Sequence, residues 1–147
     1  MTRSAPTNDD VTPVLLYDGE CGLCARSVQF ILSQESPARR AALRFAPLQG
    51  AYGAKVRARH PELASIDSVA WYEPTGGHPS RLRVRSDAAL ATMTHLGGEW
   101  GAFSAIAHFI PKPIRDAVYD AIARRRFRLV ARSCLLPSVQ DRQRFLD

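Results

Sequence analysis

Cys21 and Cys24, three positions apart, and Asp18, three positions before the first, are the residues whose types and spacing can do chemistry in this chain. Two cysteines at that spacing can close a disulfide within one helical turn. The sulfur species that attacks a disulfide is the thiolate. Val14 to Tyr17 is a short apolar run that predicts a buried strand, and Asp18-Gly19 is turn chemistry that ends it. From Cys24 the period changes: Cys24, Val28, Ile31 and Leu32 fall on one face of a helix expected to run to about Gln34. The cysteine pair therefore stands where a strand turns into a helix, the context of a dithiol redox motif. Unpaired N–H groups and the positive end of the helix dipole favour an anion there. On this reading Cys21 is the nucleophile and Cys24, on the apolar side of the first turn, resolves the mixed disulfide. Asp18 can take a proton from the Cys24 sulfur during that resolution.

Each of these residues also has a plainer reading. The cysteines could be ordinary buried thiols or half of a zinc site. Zinc wants four ligands, and beyond this pair only Cys134 and the scattered His60, His78, His95 and His108 remain, without a ligand motif. Metal and cofactor are therefore both expected to be none. Asp18 could simply shape the turn with its side chain. Cys134, beside Leu135-Leu136, reads better as a small apolar residue than as a third redox thiol.

The elements that must hold the pair follow from periodicity. Glu35-Ser36-Pro37 ends the first helix, since the residue before a proline disfavours helix. Arg39-Arg40 reads as a solvated connection. Leu43 to Ala46 alternates as a second strand that Pro47 closes. Gly50 to His60 is a weaker second helix, with Tyr52 and Val56 facing inward. Ser68 to Tyr72 predicts a central third strand. Arg81 to Arg85 predicts an edge strand with Leu82 and Val84 inward and three arginines outward, where charge blocks mispairing. Ser86 is expected to cap a helix carrying Leu90, Met93 and Leu96, with Asp87 in its first turn and Gly97-Gly98 as the left-handed stop. Trp100 to Ile110 is mostly apolar. After Pro111-Lys112-Pro113 a long helix is expected to about Arg132, its face of Ile114, Val118, Ala121, Ile122 and Leu129 packed on the sheet and its end basic.

Tyr17-Asp18-Gly19-Glu20-Cys21-Gly22-Leu23-Cys24 resembles the signature of the DCC family of predicted thiol-disulfide oxidoreductases, named for the Asp, Cys and Cys that fall here on Asp18, Cys21 and Cys24. The resemblance continues through Ser27–Ile31, Arg44–Gln49, Ser86–Leu90, Leu96–Trp100 and Ile110–Asp116. It implies a thioredoxin-like fold and a redox activity on an unspecified substrate. The order read from periodicity, βαβαββα, is the thioredoxin–glutaredoxin order. The expected architecture is thus an α/β thioredoxin-like sheet-and-helix core with additional C-terminal helices. Two departures stand out. Leu15 occupies the place of the buried acid of thioredoxins, and Ile66-Asp67-Ser68-Val69 lacks the proline that usually faces the thiols.

At 147 residues one domain is expected: a disordered tail over residues 1–13, then a single unit over 14–147 whose helical extension begins near residue 100. Met1 to Pro13 lacks the basic-then-apolar pattern of a secretory signal, and no apolar run reaches bilayer-spanning length. A cytoplasmic protein is expected, since three cysteines argue against a disulfide scaffold and for redox or metal chemistry. The expected partner is a disulfide-containing protein or a small thiol substrate, with a reductant that sequence does not name. The net charge of +6 permits a membrane surface or nucleic acid as a partner without requiring either. The alternative to an enzyme is a non-catalytic binding module that contacts protein, membrane surface or nucleic acid through the basic C-terminal helix, whose second reading is an interfacial membrane helix with Phe127.

Overall fold

The computed structural model describes residues 12–18, 22–65, 69–74, 81–125 and 142–146. The run Val14–Tyr17 forms strand β1 and is buried at all four positions, because helices cover both sides of the sheet. Helix α1, Gly22–Gln34, follows, beginning two residues before the expected start. Strand β2, Arg44–Pro47, and helix α2, Ala51–Arg59, come next. Strands β3, Ala70–Glu73, and β4, Arg81–Val84, lead into helix α3, Arg85–Leu96. The sheet order is β2-β1-β3-β4, with β1 parallel to β2 and antiparallel to β3, and β3 antiparallel to β4. This is a mixed α/β fold with a thioredoxin-like core, and β3 is internal as expected.

Alternation along the strands splits the core in two. Leu15, Tyr17, Phe45 and Trp71 meet Val28 and Ile31 of α1 and Ala88, Ala91 and Leu96 of α3. Val14, Leu16, Ala46, Ala70 and Tyr72 meet Val56 of α2 and Leu63, with Leu82 and Val84 of β4 on the same side. The inward pair expected on β4 is therefore observed, as is its place at the sheet's edge. Gly97 and Gly98, with φ of 67° and 56°, end α3 as expected. The Arg39 guanidinium donates to the carbonyls of His95 at 2.8 Å and Thr94 at 3.4 Å, so it caps α3 rather than standing in a solvated connection.

Two expectations fail for electrostatic reasons. Ser86 is not an N-cap: α3 starts at Arg85, and the Ser86 hydroxyl donates instead to Asp116. The C-terminal helices are α4, Gly98–Ala107, and α5, Lys112–Arg124; the expected continuation of α5 to Arg132 lies outside the described residues. Ile114, Val118 and Ile122 do not pack on the sheet but are 50% to 57% exposed. The polar side of α5 faces α3 instead. Lys112 Nζ and Arg115 Nη1 reach the Asp87 carboxylate at 2.8 and 3.1 Å, and Arg85 Nε lies 3.6 Å from Asp120. Burial would raise the Asp87 carboxyl, but Lys112 and Arg115 overcome it and hold it below its ordinary value.

The residues before the C-terminus return to the sheet. Leu146 N–H donates to the Phe45 carbonyl at 2.7 Å, and Phe145 stacks on Phe45 with centroids 5.1 Å apart. The segment thus covers the outer edge of β2 with a single parallel bridge instead of a helix. Arg144 fixes it there. Its Nη2 donates to Glu35 Oε1 at 2.8 Å and its Nη1 lies 2.7 Å from Oε2. His95 Nε2 reaches the same Oε1 at 2.8 Å, and the Glu35 side chain has no exposed surface. Burial would raise the Glu35 carboxyl, but hydrogen bonds and charge from His95 and Arg144 outweigh it and lower it below 4.5.

Two predictions follow from this packing. Glu35→Leu leaves the Arg144 guanidinium buried without its carboxylate and is expected to cost about 3–5 kcal/mol in urea unfolding. Because the folded carboxyl is depressed, the Glu35 contribution is full above pH 4.5 and is lost as pH falls through the lowered value. Wild type should therefore lose stability in that acid window more steeply than Glu35→Leu. Gly53→Ala tests the seat of α2. Helix propensity alone favours alanine by about 1 kcal/mol. A Cβ there, however, would sit 2.5 Å from the Leu48 carbonyl oxygen and 2.7 Å from that of Pro47. Overpacking of this kind costs about 1–3 kcal/mol. A net loss in thermal stability is expected, against the propensity.

Candidate functional site

Two parallel strands deliver their carboxyl ends to one edge. Tyr17 of β1 pairs with Pro47 of β2, and Leu48 N–H donates to the Tyr17 carbonyl at 2.8 Å, extending the ladder by one step. Asp18 leaves β1 and Gln49 leaves β2 at that edge. There the Gln49 side-chain amide donates from Nε2 to Asp18 Oδ1 at 2.7 Å. Sites in open α/β sheets gather outside the carboxyl ends of the strands, where chain segments diverge.

What holds Gln49 is the turn after β2. Gly50 N–H donates to the Pro47 carbonyl at 3.1 Å, and Ala54 N–H to the Gly50 carbonyl at 3.0 Å, which starts α2. Gly53 lets α2 approach the Pro47 and Leu48 carbonyls too closely for any side chain. On the other side, Tyr17 is nearly enclosed, and burial pushes its phenol up. Asp18 thus follows a buried aromatic on its own strand and accepts from an amide in the turn after the neighbouring one.

Among the three residues that sequence singled out, the structure describes Asp18 in full. Cys24 is described by its backbone, as the third residue of α1. Cys21 and Cys134 lie outside the described residues. Helix α1 begins at Gly22, between the two cysteines of the motif. The free N–H groups and dipole of a helix start favour an anion. The partner that sequence reasoning passed over is Gln49. A polar residue after a strand-closing proline carries only a turn signal, and nothing in its local pattern points to an aspartate 31 positions away. Among the described residues no group of three or more His, Cys, Asp or Glu side chains could hold a metal ion. No helix among them is long and apolar enough to cross a membrane.

The chain is 32% identical over 136 residues to the uncharacterized protein YuxK of Bacillus subtilis, covering 90% of this chain and 93% of that one. It is 29% identical over 126 residues to the DCC family protein At1g52590, chloroplastic, of Arabidopsis thaliana, covering 85% of this chain and 69% of that one. No solved structure matches. Residues 15–132 match the model of the DCC1-like thiol-disulfide oxidoreductases, and the chain belongs to that family.

Proposed function

We propose that this protein is a cytoplasmic thiol-disulfide oxidoreductase in which Cys21 is the nucleophile, Cys24 the resolving thiol and Asp18 a proton acceptor held by Gln49. The observation that carries the reading is the start of α1 at Gly22, inside the Cys-x-x-Cys of a chain from this family. It favours a thiolate on the sulfur just before the helix. The Cys21 thiolate attacks one sulfur of a substrate disulfide, and the other sulfur leaves as a thiolate. Cys24, giving its proton to Asp18, then attacks Cys21 Sγ and expels the second substrate sulfur as a thiolate, which takes that proton back from Asp18 and leaves as a thiol. The dithiol supplies two electrons and ends as the Cys21–Cys24 disulfide. A dithiol or small-thiol reductant restores it. A disulfide-bearing protein or a small disulfide is the substrate class, and a reducing cytoplasm suits the resting dithiol.

Trapping tests the assignment. Cys24→Ser is expected to accumulate mixed disulfides on Cys21 that Cys21→Ser does not form, read by non-reducing electrophoresis and mass spectrometry. Equal trapping by both variants, or none by either, would sink the division of roles. In the Cys24→Ser protein the Cys21 thiol is expected to titrate below the roughly 8.5 of a free cysteine, followed by thiolate absorbance.

Asp18 and Gln49 are tested together. Asp18→Asn keeps the size of the side chain but cannot accept the proton. Release of the mixed disulfide is expected to slow by roughly tenfold or more, since positioned general bases contribute ~10² to 10⁴. Gln49→Ala leaves the carboxylate but frees its orientation, so a smaller loss with the same pH dependence as wild type is expected. Thermal unfolding of both variants should move little. Unchanged release kinetics from pH 6 to 9 in Asp18→Asn would reduce Asp18 to a turn former.

A further inference from the structure

Both C-terminal helices are mounted on α3 by their small or polar sides. Ser104, fully buried in α4, donates to the Leu90 carbonyl of α3 at 3.0 Å and lies 3.0 Å from the Thr94 hydroxyl. The α5 contacts to α3 are the ion pairs and the Ser86–Asp116 hydrogen bond described above. The apolar side chains therefore point away. Phe103, Ile106 and Phe109 are 56%, 67% and 89% exposed, and Ile114, Val118 and Ile122 are half exposed. Isolated exposed apolar residues need no explanation, but a run of them along two successive helices marks an interaction surface.

Charge says what that surface fits. Residues 100–111 contain no Asp, Glu, Lys or Arg. Both acids of α5 are used internally, Asp116 against Ser86 and Lys112, and Asp120 against Arg85. Arg124 and Arg125 at the end of α5 are exposed, and the sequence goes on through Arg126 and Arg128. Glu99, at the start of α4, is also exposed. On α5 the half-exposed Ile122 is followed by exposed cations, while the two carboxylates of the helix are engaged within the protein. A second copy would bring the same arginines with it. Phe109, the most exposed, stands on the connection between the helices and projects rather than lining a groove.

We propose that α4 and α5 dock on an anionic lipid bilayer, with Phe103, Ile106 and Phe109 among the acyl chains and Arg124 and Arg125 at the headgroups. Among the described residues no helix is long and apolar enough to cross a membrane, and the contact proposed is a peripheral one. It is independent of the thiol chemistry and sets where that chemistry happens.

Vesicle flotation with the full-length protein tests this, using phosphatidylglycerol-containing and pure phosphatidylcholine vesicles. Wild type and Cys21→Ser are expected to float equally with the anionic vesicles, weakly with the neutral ones, and less as salt is raised. Arg124→Glu/Arg125→Glu and Ile106→Ser/Phe109→Ser are each expected to lose binding by about tenfold or more. All four substituted side chains are exposed, so thermal unfolding should match wild type. Failure of wild type to float on anionic vesicles at low salt overturns the proposal. So does flotation that survives Ile106→Ser/Phe109→Ser. A wild-type dimer in sedimentation velocity that fails to float and becomes monomeric in Ile106→Ser/Phe109→Ser overturns it in favour of a second copy.

Discussion

A carboxylate cannot leave water without partners that replace its hydration. Glu35 has left it entirely, and its two partners come from the far end of α3 and from the last residues described. Three stretches that share no local sequence are thereby fixed around one group at the end of α1. Arg144 spends more of its hydrogen-bonding capacity on the Leu43 carbonyl, to which both Nε and Nη2 donate, and its guanidinium lies 5.0 Å from the centre of the Phe45 ring. His95 also approaches Trp71, with ring centroids 6.0 Å apart. The cluster holds the C-terminal end of α1, and the chemistry we propose lies at the other end of that helix. It also seats Phe145 against Phe45 and Tyr17, and Tyr17 immediately precedes Asp18. The proposed site is thus linked to this charge cluster through a helix and a strand.

The same rule acts with the opposite outcome at α5. An amphipathic helix added to a complete α/β domain ordinarily buries its apolar side. Here the N-terminal end of α3 presents Arg85, Ser86 and Asp87, and the matching Lys112, Arg115, Asp116 and Asp120 sit on one side of α5. Arg115 is mostly enclosed in this contact, which makes its pairing with Asp87 worth more than a surface ion pair. Lys112 and Arg115 both converge on the one Asp87 carboxylate, so rotating the helix to bury isoleucine would break several charged contacts at once.

Much of the fold was legible because local signals and burial agree. Four apolar residues in a row at Val14–Tyr17 announce a strand covered on both faces. Val28 and Ile31 announce the buried side of α1, and Gly97-Gly98 announce the end of α3 in the conformation only glycine adopts cheaply. The start of α1 was read late because Gly22-Leu23 carries no capping signature. The facing of α5 was misread for a deeper reason: periodicity reports that a helix has two sides, not which neighbour each side meets. Polar partnerships across long separations leave no local trace. Glu35 and Arg144 are 109 positions apart, and Glu35 reads locally as the end of a helix before a proline. Of the site, Asp18 and the strand-to-helix placement of the cysteines could be read directly. Gln49 could not, because its meaning depends on β1 and β2 being parallel neighbours in register.

The start of α1 is a reason why the two cysteines need not behave alike in the proposed reaction. With α1 beginning at Gly22, Cys21 precedes the first helical residue and Cys24 is the third. A sulfur before the first turn can receive the orphan N–H groups of that turn, whereas the backbone of Cys24 is itself part of the turn. Had the helix begun at Cys24, both sulfurs would have stood at or before its boundary, and the dipole would have distinguished them less. The start at Gly22 divides the motif. Asp18 sits at the sheet edge from which the chain enters that turn, with Gln49 holding one carboxylate oxygen from the next strand. A carboxylate beside a nucleophilic thiolate would oppose it, because like charges disfavour each other's ionisation. Beside the resolving thiol the same carboxylate helps, because that sulfur must shed a proton to attack. An acid anchored to β2 rather than left to swing on its own turn is what the proposed division of labour requires.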